Sequence, residues 1–307
     1  MSKSSHQRRR ERGLFGQPLG EAGDREIVRT IKLALRLGRR HLADHAHKYA
    51  PKKYTQAQLF ACLILKAHLG CTYRKVEELL TLMPAVREAL GLVEVPRFTT
   101  LQAFADRPEI MALMDAVLAT IGRAVSKELA RTNQPRDAAL DGTGLEVTSA
   151  SAHFVSRAGR KRSRFVKPLL GVLCAAVIPV SMVMDWGPSH DLKQAWALRE
   201  KLRATCTPTM LWGDGAFDSE AWHRANWEEW RVPSYAPTTV RSRDGHVGGI
   251  YRAAFAQLTP RDYGQRWMCE SVNSAIKRVS GSTLRSRKQN TLFAEAALKV
   301  VAYAVKV

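Results

Sequence analysis

Residues 138–147 read AALDGTGLEV, and this stretch decides the fold. Its apolar residues predict a β-strand that carries an aspartate, Asp141, in its interior. A carboxylate inside an apolar strand is unfavourable unless it is paired with a cation or bound to a metal ion. Gly142 and Gly144 allow a ligand or a neighbouring backbone to approach Asp141 closely. The stretch therefore predicts both a core strand and a candidate functional residue.

Downstream of this strand, the sequence predicts a sheet with helices on its faces. Apolar runs at 165–174 and 177–185 predict two further strands, which gives three adjacent strands in a row. The predicted elements that follow are a helix at 192–203, a strand at 209–213, a helix at 222–230, a strand at 232–236 and a last helix from about Arg261. This order is that of an α/β (α+β) domain with a mixed sheet flanked by helices, as in ribonuclease-H-like domains.

A second aspartate repeats the arrangement of the first. Asp214 follows the apolar stretch MLWG at 210–213 and stands next to Gly215. Open sheets bind ligands at the carboxyl ends of their strands. Asp141 and Asp214 at neighbouring strand ends, with Glu270 from a packed helix, would form a pocket for hard divalent cations. The alternative for each aspartate is a plain turn residue, because Asp-Gly is a strong turn signal.

The polar residues near the C-terminal end have the spacing of one helical face. Tyr263, Arg266, Glu270 and Lys277 read Y-x2-R-x3-E-x6-K, and with Asn273 they fall within an arc of about 80°. The opposite side is predicted to be buried and carries Met268, Val272, Ala275, Ile276 and Val279. Such a helix could present a carboxylate to a metal ion and its cations to phosphate oxygens. The alternative is a solvated face on which Arg266 and Glu270 form an i,i+4 salt bridge.

Composition points to a polyanionic partner. The chain has 307 residues, with 48 Lys+Arg against 28 Asp+Glu and a net charge of +20. Nucleic acid is the commonest partner of so basic a protein. A membrane surface is the competitor, but no apolar run is long enough to span a bilayer. The five cysteines are scattered without a C-x2-C pair, which favours neither a zinc site nor a disulfide framework and suits a reducing cytoplasm.

The region before the sheet is expected to be helical. Residues 1–23 are predicted to be a basic disordered arm, residues 24–132 an all-helical DNA-binding domain and residues 133–307 the catalytic domain. Thr55 followed by Gln58 forms a capping-box pattern, and Thr72 can cap the next short helix. Three short helices with tight turns are compatible with a helix-turn-helix that binds DNA. A helical bundle packed on the next domain remains the alternative.

Two acid-free clusters of cations are predicted to contact the DNA backbone without reading its sequence. The first cluster consists of Arg157, Arg160, Lys161, Arg162, Arg164 and Lys167. The second consists of Lys277, Arg278, Arg285, Arg287 and Lys288. A solvated face would explain either cluster alone, but two clusters flanking one carboxylate site favour DNA.

At this point the chain resembles the DDE transposases of bacterial insertion sequences, in particular those with the Y-R-E-K signature. Asp141 in LDGT matches the first aspartate, Asp214 in GDGAFD the second, and Glu270 the glutamate. The resemblance implies two-metal phosphoryl transfer, with the three carboxylates holding two Mg²⁺ (or Mn²⁺) ions. It further implies that Arg266 and Lys277 hold phosphate oxygens and that Tyr263 adds a hydrogen bond or stacks.

The predicted function is that of a cytoplasmic transposase. Its expected partner is double-stranded DNA, both element ends and target, bound by a homodimer, with no membrane involved. One alternative is a ribonuclease-H-like nuclease without strand transfer, and another is a non-catalytic DNA-binding descendant. Other residues close in sequence could take the carboxylate or metal roles, namely Glu146, Asp185, His190, Asp191 and Asp218. The simpler role for Asp218, and an alternative for Asp191, is that of a helix cap. His190 is expected to be a buried, hydrogen-bonded side chain if it binds no ligand.

Overall fold

The computed structural model describes residues 25–147, 165–238, 247–257 and 263–307. Contacts divide these residues into two compact units. The helical unit takes in the described residues up to Val117, together with Ile276–Gly281 and Ser286–Val307. The sheet unit takes in the described residues of Leu118–Ala275 and of Ser282–Arg285. The predicted arm at 1–23 and the predicted cations at 157–164 lie outside the described residues.

The helical unit is built from short amphipathic helices. They are α1 (Glu26–His41), α2 (Gln56–His68), α3 (Tyr73–Leu82), α4 (Pro84–Leu90), α5 (Phe98–Ala105), the start of α6 (Ile110–Arg131) and, further along the chain, α11 (Gln289–Lys306). The predicted capping box is confirmed, since Thr55 Oγ1 accepts from Gln58 N at 3.2 Å and Gln58 Oε1 accepts from Thr55 N at 2.8 Å. Thr72 Oγ1 caps α3 by accepting from Lys75 N at 3.2 Å. The predicted helical character of this region is therefore confirmed.

The core of the helical unit forms where α1 packs against α2. Ile31, Phe60 and Leu63 are fully buried there. A side chain at Gly38 would bring its Cβ within 2.9 Å of Ala57 Cα, so only glycine allows the two backbones to come this close.

Among the described residues, seven strands of the sheet unit form one mixed sheet. The strands are β1 (Ala138–Gly142), β2 (Leu145–Val147), β3 (Phe165–Leu173), β4 (Ile178–Trp186), β5 (Leu211–Trp212), β6 (Ser234–Tyr235) and β7 (Thr283–Leu284). The first strand lies between an antiparallel partner, β3, and a parallel partner, β5. β4 pairs antiparallel with the other side of β3, and β6 pairs parallel with β5.

Besides the part of α6 from Leu118 to Arg131, the helices of the sheet unit are α7 (Asp191–Arg203), α8 (Glu220–Trp230), α9 (Ile250–Ala256) and the part of α10 (Trp267–Ser280) that ends at Ala275. The helices α7, α8 and α10 follow the predicted order, whereas α9 was not predicted. This mixed sheet with its flanking helices is the predicted ribonuclease-H-like fold, which the structure confirms. No helix in the described parts of the chain combines the length and the apolar character needed to cross a membrane.

Two further details differ from the prediction. The stretch predicted as one strand at 138–147 is two, because the chain leaves the sheet at Thr143 and Gly144. β1 and β2 both pair with β3, and β2 also pairs with β7. The helix predicted from about Arg261 begins only at Trp267, after a 3₁₀ turn at Tyr263–Arg266.

Candidate active site

The sheet register sets Asp141 and Asp214 side by side. In the parallel pair of β1 and β5, Ala139 lies opposite Trp212. Each aspartate follows its member of that pair by two residues, and Asp214 still has extended backbone angles. Because side chains two residues apart point to the same face of a strand, both carboxylates come from the same face at the carboxyl ends of adjacent strands.

Asp214 is held by the turn that follows β5. Its Oδ1 accepts a hydrogen bond from Ala216 N at 2.9 Å and so caps the 3₁₀ turn at Gly215–Phe217. The side chain of Phe217 is buried and lies against Gly213, where an added Cβ would approach the ring to 2.7 Å. The glycine before Asp214 therefore lets the turn fold tightly over the end of the strand.

Asp141 is a partly buried carboxylate that lies near other carboxylates. Burial and the charge of Asp214 raise the pKa of Asp141 from 3.8 to about 6, and the charges of Asp191 and Glu270 act in the same direction. The positive charge of Arg266 partly offsets these effects on the pKa. Such a shift is typical of carboxylates whose negative charges are gathered in one place, as at catalytic and metal-binding sites.

Helix α10 contacts β1 and its antiparallel neighbour β3. Asn273 Nδ2 donates to Asp141 Oδ2 at 3.0 Å. One turn earlier, the buried Cys269 has its Sγ 4.0 Å from the carbonyl oxygen of Leu170, which is the register partner of Asp141 on β3. These two contacts fix the part of the helix between them, and that part carries Glu270.

Glu270 and Arg266 form an ion pair at the start of the helix. Arg266 Nη2 lies 2.5 Å from Glu270 Oε1, and the glutamate side chain is 52% exposed. Burial acts to lower the pKa of Arg266, but the hydrogen bond to Glu270 and nearby negative charges raise it overall. The salt bridge that the sequence offered as an alternative is therefore present, in a place where its cation also acts on Asp141.

The Tyr263 side chain and the Nε of Arg266 lie on the same side of the site. The guanidinium lies 5.9 Å from the centre of the Tyr263 ring, and Arg266 Nε is a buried donor without a hydrogen-bond partner among the residues that the structure describes. The Tyr263 hydroxyl is 3.5 Å from the carbonyl oxygen of Gly213, next to Asp214. A buried donor without a partner is costly, so a ligand that supplied an acceptor here would be favoured.

A further ion pair lies beside Asp141. Lys167 pairs with Asp191, and Lys167 Nζ also donates to the carbonyl oxygen of Ser189 at 2.8 Å. The two side chains are only 17% and 12% exposed. An added Cβ at Gly142 would lie 2.7 Å from Lys167 Cε and 2.9 Å from Asp191 Oδ1. This explains why glycine must follow Asp141, and it places a fourth carboxylate in the electrostatic field of the first.

Comparison with known protein families matches this part of the chain. A family model described as the transposase DDE domain matches residues 132–305. The chain belongs to this family. The family is that of the transposase DDE domain, so the protein is a DDE transposase. A search among curated proteins found no match.

Among the described residues of the DDE domain, no group of three or more His, Cys, Asp or Glu side chains is close enough to hold a metal ion. Asp141 and Asp214 lie together, whereas Glu270 is engaged with Arg266. The donor chemistry nevertheless suits a hard divalent cation, because the crowded carboxylates that raise the pKa of Asp141 would be relieved by positive charge.

Helix α10 carries Glu270 and Lys277 of the Y-R-E-K signature, whereas Tyr263 and Arg266 lie in the 3₁₀ turn before it. The surface of α10 is more varied than the pattern predicted. Val272 and Ile276 are buried as predicted, but Val279 is 36% exposed, so its predicted burial is wrong. Asn273, predicted on the polar face, is 6% exposed because it reaches Asp141. Lys277 lies on α10 two turns beyond Glu270 and is partly exposed.

Most of the competing residues have other partners in the DDE domain. Asp218, expected to cap a helix, instead pairs with Arg252, with Arg252 Nε donating to Oδ1 at 2.7 Å and Arg252 Nη2 to Oδ2 at 2.5 Å. Asp185 accepts from Trp186 N at 2.8 Å. His190 is exposed rather than buried, and its Nδ1 accepts from Leu192 N at 3.3 Å. Glu146 is exposed on β2.

The cations predicted to bind DNA fall into three groups. Arg157, Arg160, Lys161, Arg162 and Arg164 lie outside the described residues. Arg278, Arg285, Arg287 and Lys288 are exposed. Lys167 is mostly buried against Asp191. The pair of Lys167 and Asp191 was missed by the sequence reasoning, although a glycine after the first aspartate and the SHD stretch at 189–191 were signals of it.

Proposed function

We propose that this transposase cuts and joins DNA at the ends of an insertion sequence, with Asp141, Asp214 and Glu270 as its catalytic carboxylates. The observation that carries the proposal is the aligned pair of aspartates on β1 and β5, which share one face and raise the pKa of Asp141 to about 6. Negative charges gathered at this edge of the sheet destabilise the folded state, and such clusters are typical of functional sites.

Divalent cations are the proposed cofactors. Asp141 and Asp214 would hold them, with Glu270 as the third carboxylate, and two Mg²⁺ or Mn²⁺ ions are the expected number. When bound, the ions would activate the attacking oxygen and stabilise the leaving oxygen at phosphorus. Asn273 Nδ2, at 3.0 Å from Asp141 Oδ2, orients the first carboxylate and leaves its other oxygen for ligand binding.

Arg266 is proposed to change partners when DNA binds. In the structure it pairs with Glu270, and within the described part of the chain its Nε has no hydrogen-bond partner. A DNA phosphate would offer two acceptor oxygens to the guanidinium, an arrangement that arginine favours. Phosphate binding would therefore weaken the hold of Arg266 on Glu270 and free that carboxylate for the acidic pair. Tyr263, beside Gly213, and Lys277, further along the same helix, are proposed to contact the DNA near the cleaved bond.

DNA binding outside the catalytic centre is assigned to the exposed cations and to the helical region. Arg278, Arg285, Arg287 and Lys288 are exposed and would contact phosphates. The same role is proposed for Arg157, Arg160, Lys161, Arg162 and Arg164. We further propose that residues 24–132 form the DNA-binding domain, that residues 133–307 form the catalytic domain and that the protein acts as a homodimer on DNA.

The test is a transposition assay in vitro. A supercoiled donor plasmid would carry the terminal sequences that flank the gene, and the reaction would contain purified protein and Mg²⁺. The proposal expects cleavage at those ends followed by joining of a 3′ end to target DNA. Cleavage without any joined product would instead support a nuclease of the same fold. No cleavage with either Mg²⁺ or Mn²⁺, by protein that binds the ends, would contradict the proposal.

A further inference from the structure

We propose that the outward side of α1 is a surface that binds the phosphate backbone of duplex DNA, independently of sequence. The choice of DNA as the partner rests on the proposed function. We call this surface the basic face of α1. It consists of Arg25, Arg29, Lys32, Arg36, Arg39 and Arg40.

The cations form one continuous stripe. They follow one another at intervals of four, three, four and three residues from Arg25 to Arg39, with Arg40 adjacent. At about 100° per residue, all six lie within an arc of about 100°. Arg25 is the N-cap, and a random placement of the other five cations on the sixteen helical residues would spread them around the axis. The spacing thus assembles their charge on a single side of the helix.

The other side of α1 is committed to the core of the helical unit. Ile31 and Ala34 are completely buried, and Gly38 packs against Ala57. By contrast, Arg25, Arg29, Arg39 and Arg40 are all exposed. Lys32 and Arg36, which lie between them, are half-buried. The helix therefore presents four of its six cations to solvent, while most of its apolar residues are buried in the helical unit.

The charge of the stripe is not balanced by acids of its own helix. Glu26 is the single acidic residue in α1, and it lies about 40° outside the arc. Its carboxylate oxygen Oε1 is 3.2 Å from Lys306 Nζ and 3.7 Å from His68 Nε2. Glu26 therefore joins α1 to the neighbouring helices.

The size and charge of the stripe match a DNA strand. From Arg25 to Arg39 the helix rises about 21 Å, at about 1.5 Å per residue. Duplex DNA carries one negative charge per about 1.7 Å of its axis, so several phosphates lie within that length. Guanidinium groups bind phosphate oxygens but, at the backbone, read no sequence. The basic face is thus suited to holding DNA in place rather than to choosing a site.

An anionic membrane is a less suitable partner for the same charges. Amphipathic helices bind membranes by inserting their apolar face between the lipid headgroups. In α1 that face is buried in the protein, so electrostatic attraction would be the sole contribution. DNA, with its higher linear charge density, gains more from a stripe of cations.

The test replaces three exposed cations and measures DNA binding in EDTA, where no metal-dependent cleavage occurs. In one variant Arg29, Arg39 and Arg40 become Gln, which is a good helix former. Affinity for a duplex of arbitrary sequence is measured over a range of salt concentrations. Three lost phosphate contacts predict a log–log slope shallower by up to about three units and binding weaker by up to about 500-fold at 0.1 M salt.

Two control variants separate the surface from the net charge and from folding. Lys48, Lys52 and Arg97 are also exposed cations of the helical unit, and changing them to Gln removes the same charge. This control should lose much less affinity than the first variant. Changing Arg29, Arg39 and Arg40 to Lys instead should keep the salt slope, because the charge stays.

An equal loss of affinity in both Gln variants, or an unchanged salt slope in the first, would overturn the proposal. It would also be overturned if the first variant lost binding to phosphatidylglycerol vesicles while it kept wild-type DNA binding. Because DNA binding is measured without catalysis, the proposal for the basic face of α1 can be overturned while plasmid cleavage still occurs. Equally, plasmid cleavage can be absent while the basic face of α1 binds DNA. The surface and the proposed function are thus tested separately.

Discussion

Changing Asp141 to Asn should make the sheet unit more stable at pH 8, although it removes a residue proposed to be catalytic. The pKa of Asp141 is raised from 3.8 to about 6 by burial and by the charge of Asp214. A carboxyl group whose pKa is higher in the folded than in the unfolded state favours folding at pH values below its pKa in the unfolded state. This contribution is lost as the pH rises through its pKa in the folded state. At pH 8 the wild type therefore carries a penalty that an uncharged Asn avoids.

The size of the effect follows from the shift. A difference of about two pKa units corresponds to about 3 kcal/mol in the free energy of unfolding, which is an upper value for a group that is mostly buried. We expect Asp141→Asn to be more stable than the wild type by about 1–3 kcal/mol at pH 8. The difference should shrink between pH 6 and pH 4 and vanish near pH 4. Asn273 can still donate to the amide oxygen of the new side chain.

The assay is urea unfolding in EDTA, followed by tryptophan fluorescence. All seven tryptophans lie between Leu118 and Ala275, so the signal reports on the sheet unit. The control is Asp44→Asn, which makes the same chemical change at an exposed position and should alter stability little. The reasoning would be refuted if Asp141→Asn were no more stable than the wild type at pH 8, or if its advantage were the same at pH 4.

Three further outcomes are expected. Lys167→Met should lower the free energy of unfolding by about 3 kcal/mol, because it leaves Asp191 buried without its cation. Adding Asp191→Asn should restore much of the loss. If the effects of the two single changes on urea unfolding simply added up in the double variant, the pairing would be contradicted. Gly142→Ala should cost about 1–3 kcal/mol, since its Cβ would lie 2.7 Å from Lys167 Cε, whereas Gly248→Ala, with nothing within 4 Å, should not; equal effects of the two in the same assay would count against the steric reason. Changing Arg160, Lys161 and Arg162 together to Gln should make the salt slope of DNA binding shallower by up to about three units without changing which end sequence is preferred; an altered preference would show that the segment reads bases.

The sheet and its two aspartates could be predicted because local patterns determine them. Apolar runs of strand length, separated by turn residues, predict β3 and β4 closely. An aspartate beside glycine at the end of such a run marks Asp141 and Asp214 without knowledge of the partner strand. Their alignment then follows from the parallel pairing of β1 and β5, which is common for strands joined through a helix.

The features that could not be predicted depend on contacts between distant parts of the chain. Lys167 and Asp191 meet only because β3 and the start of α7 converge beside Gly142. The burial of Asn273 reflects its bond to Asp141, which lies on another element. The spacing of the signature placed Glu270 on a helical face. The same spacing allowed either a metal-binding role for Glu270 or a salt bridge with Arg266, and the structure shows the salt bridge.

The most direct test of the central claim compares DNA cleavage by the wild type with that by Asp214→Asn. The substrate is a labelled duplex carrying the element's own end, and binding is measured in parallel in EDTA. Asn keeps the shape of the side chain and its bond to Ala216 N but removes the charge that the acidic pair needs. The account predicts that cleavage in Mg²⁺ falls by at least about 1,000-fold, while DNA binding stays within a few-fold of the wild type. In the control variant Asp44→Asn, neither cleavage nor DNA binding should change. Cleavage by Asp214→Asn at a rate near that of the wild type would contradict the account.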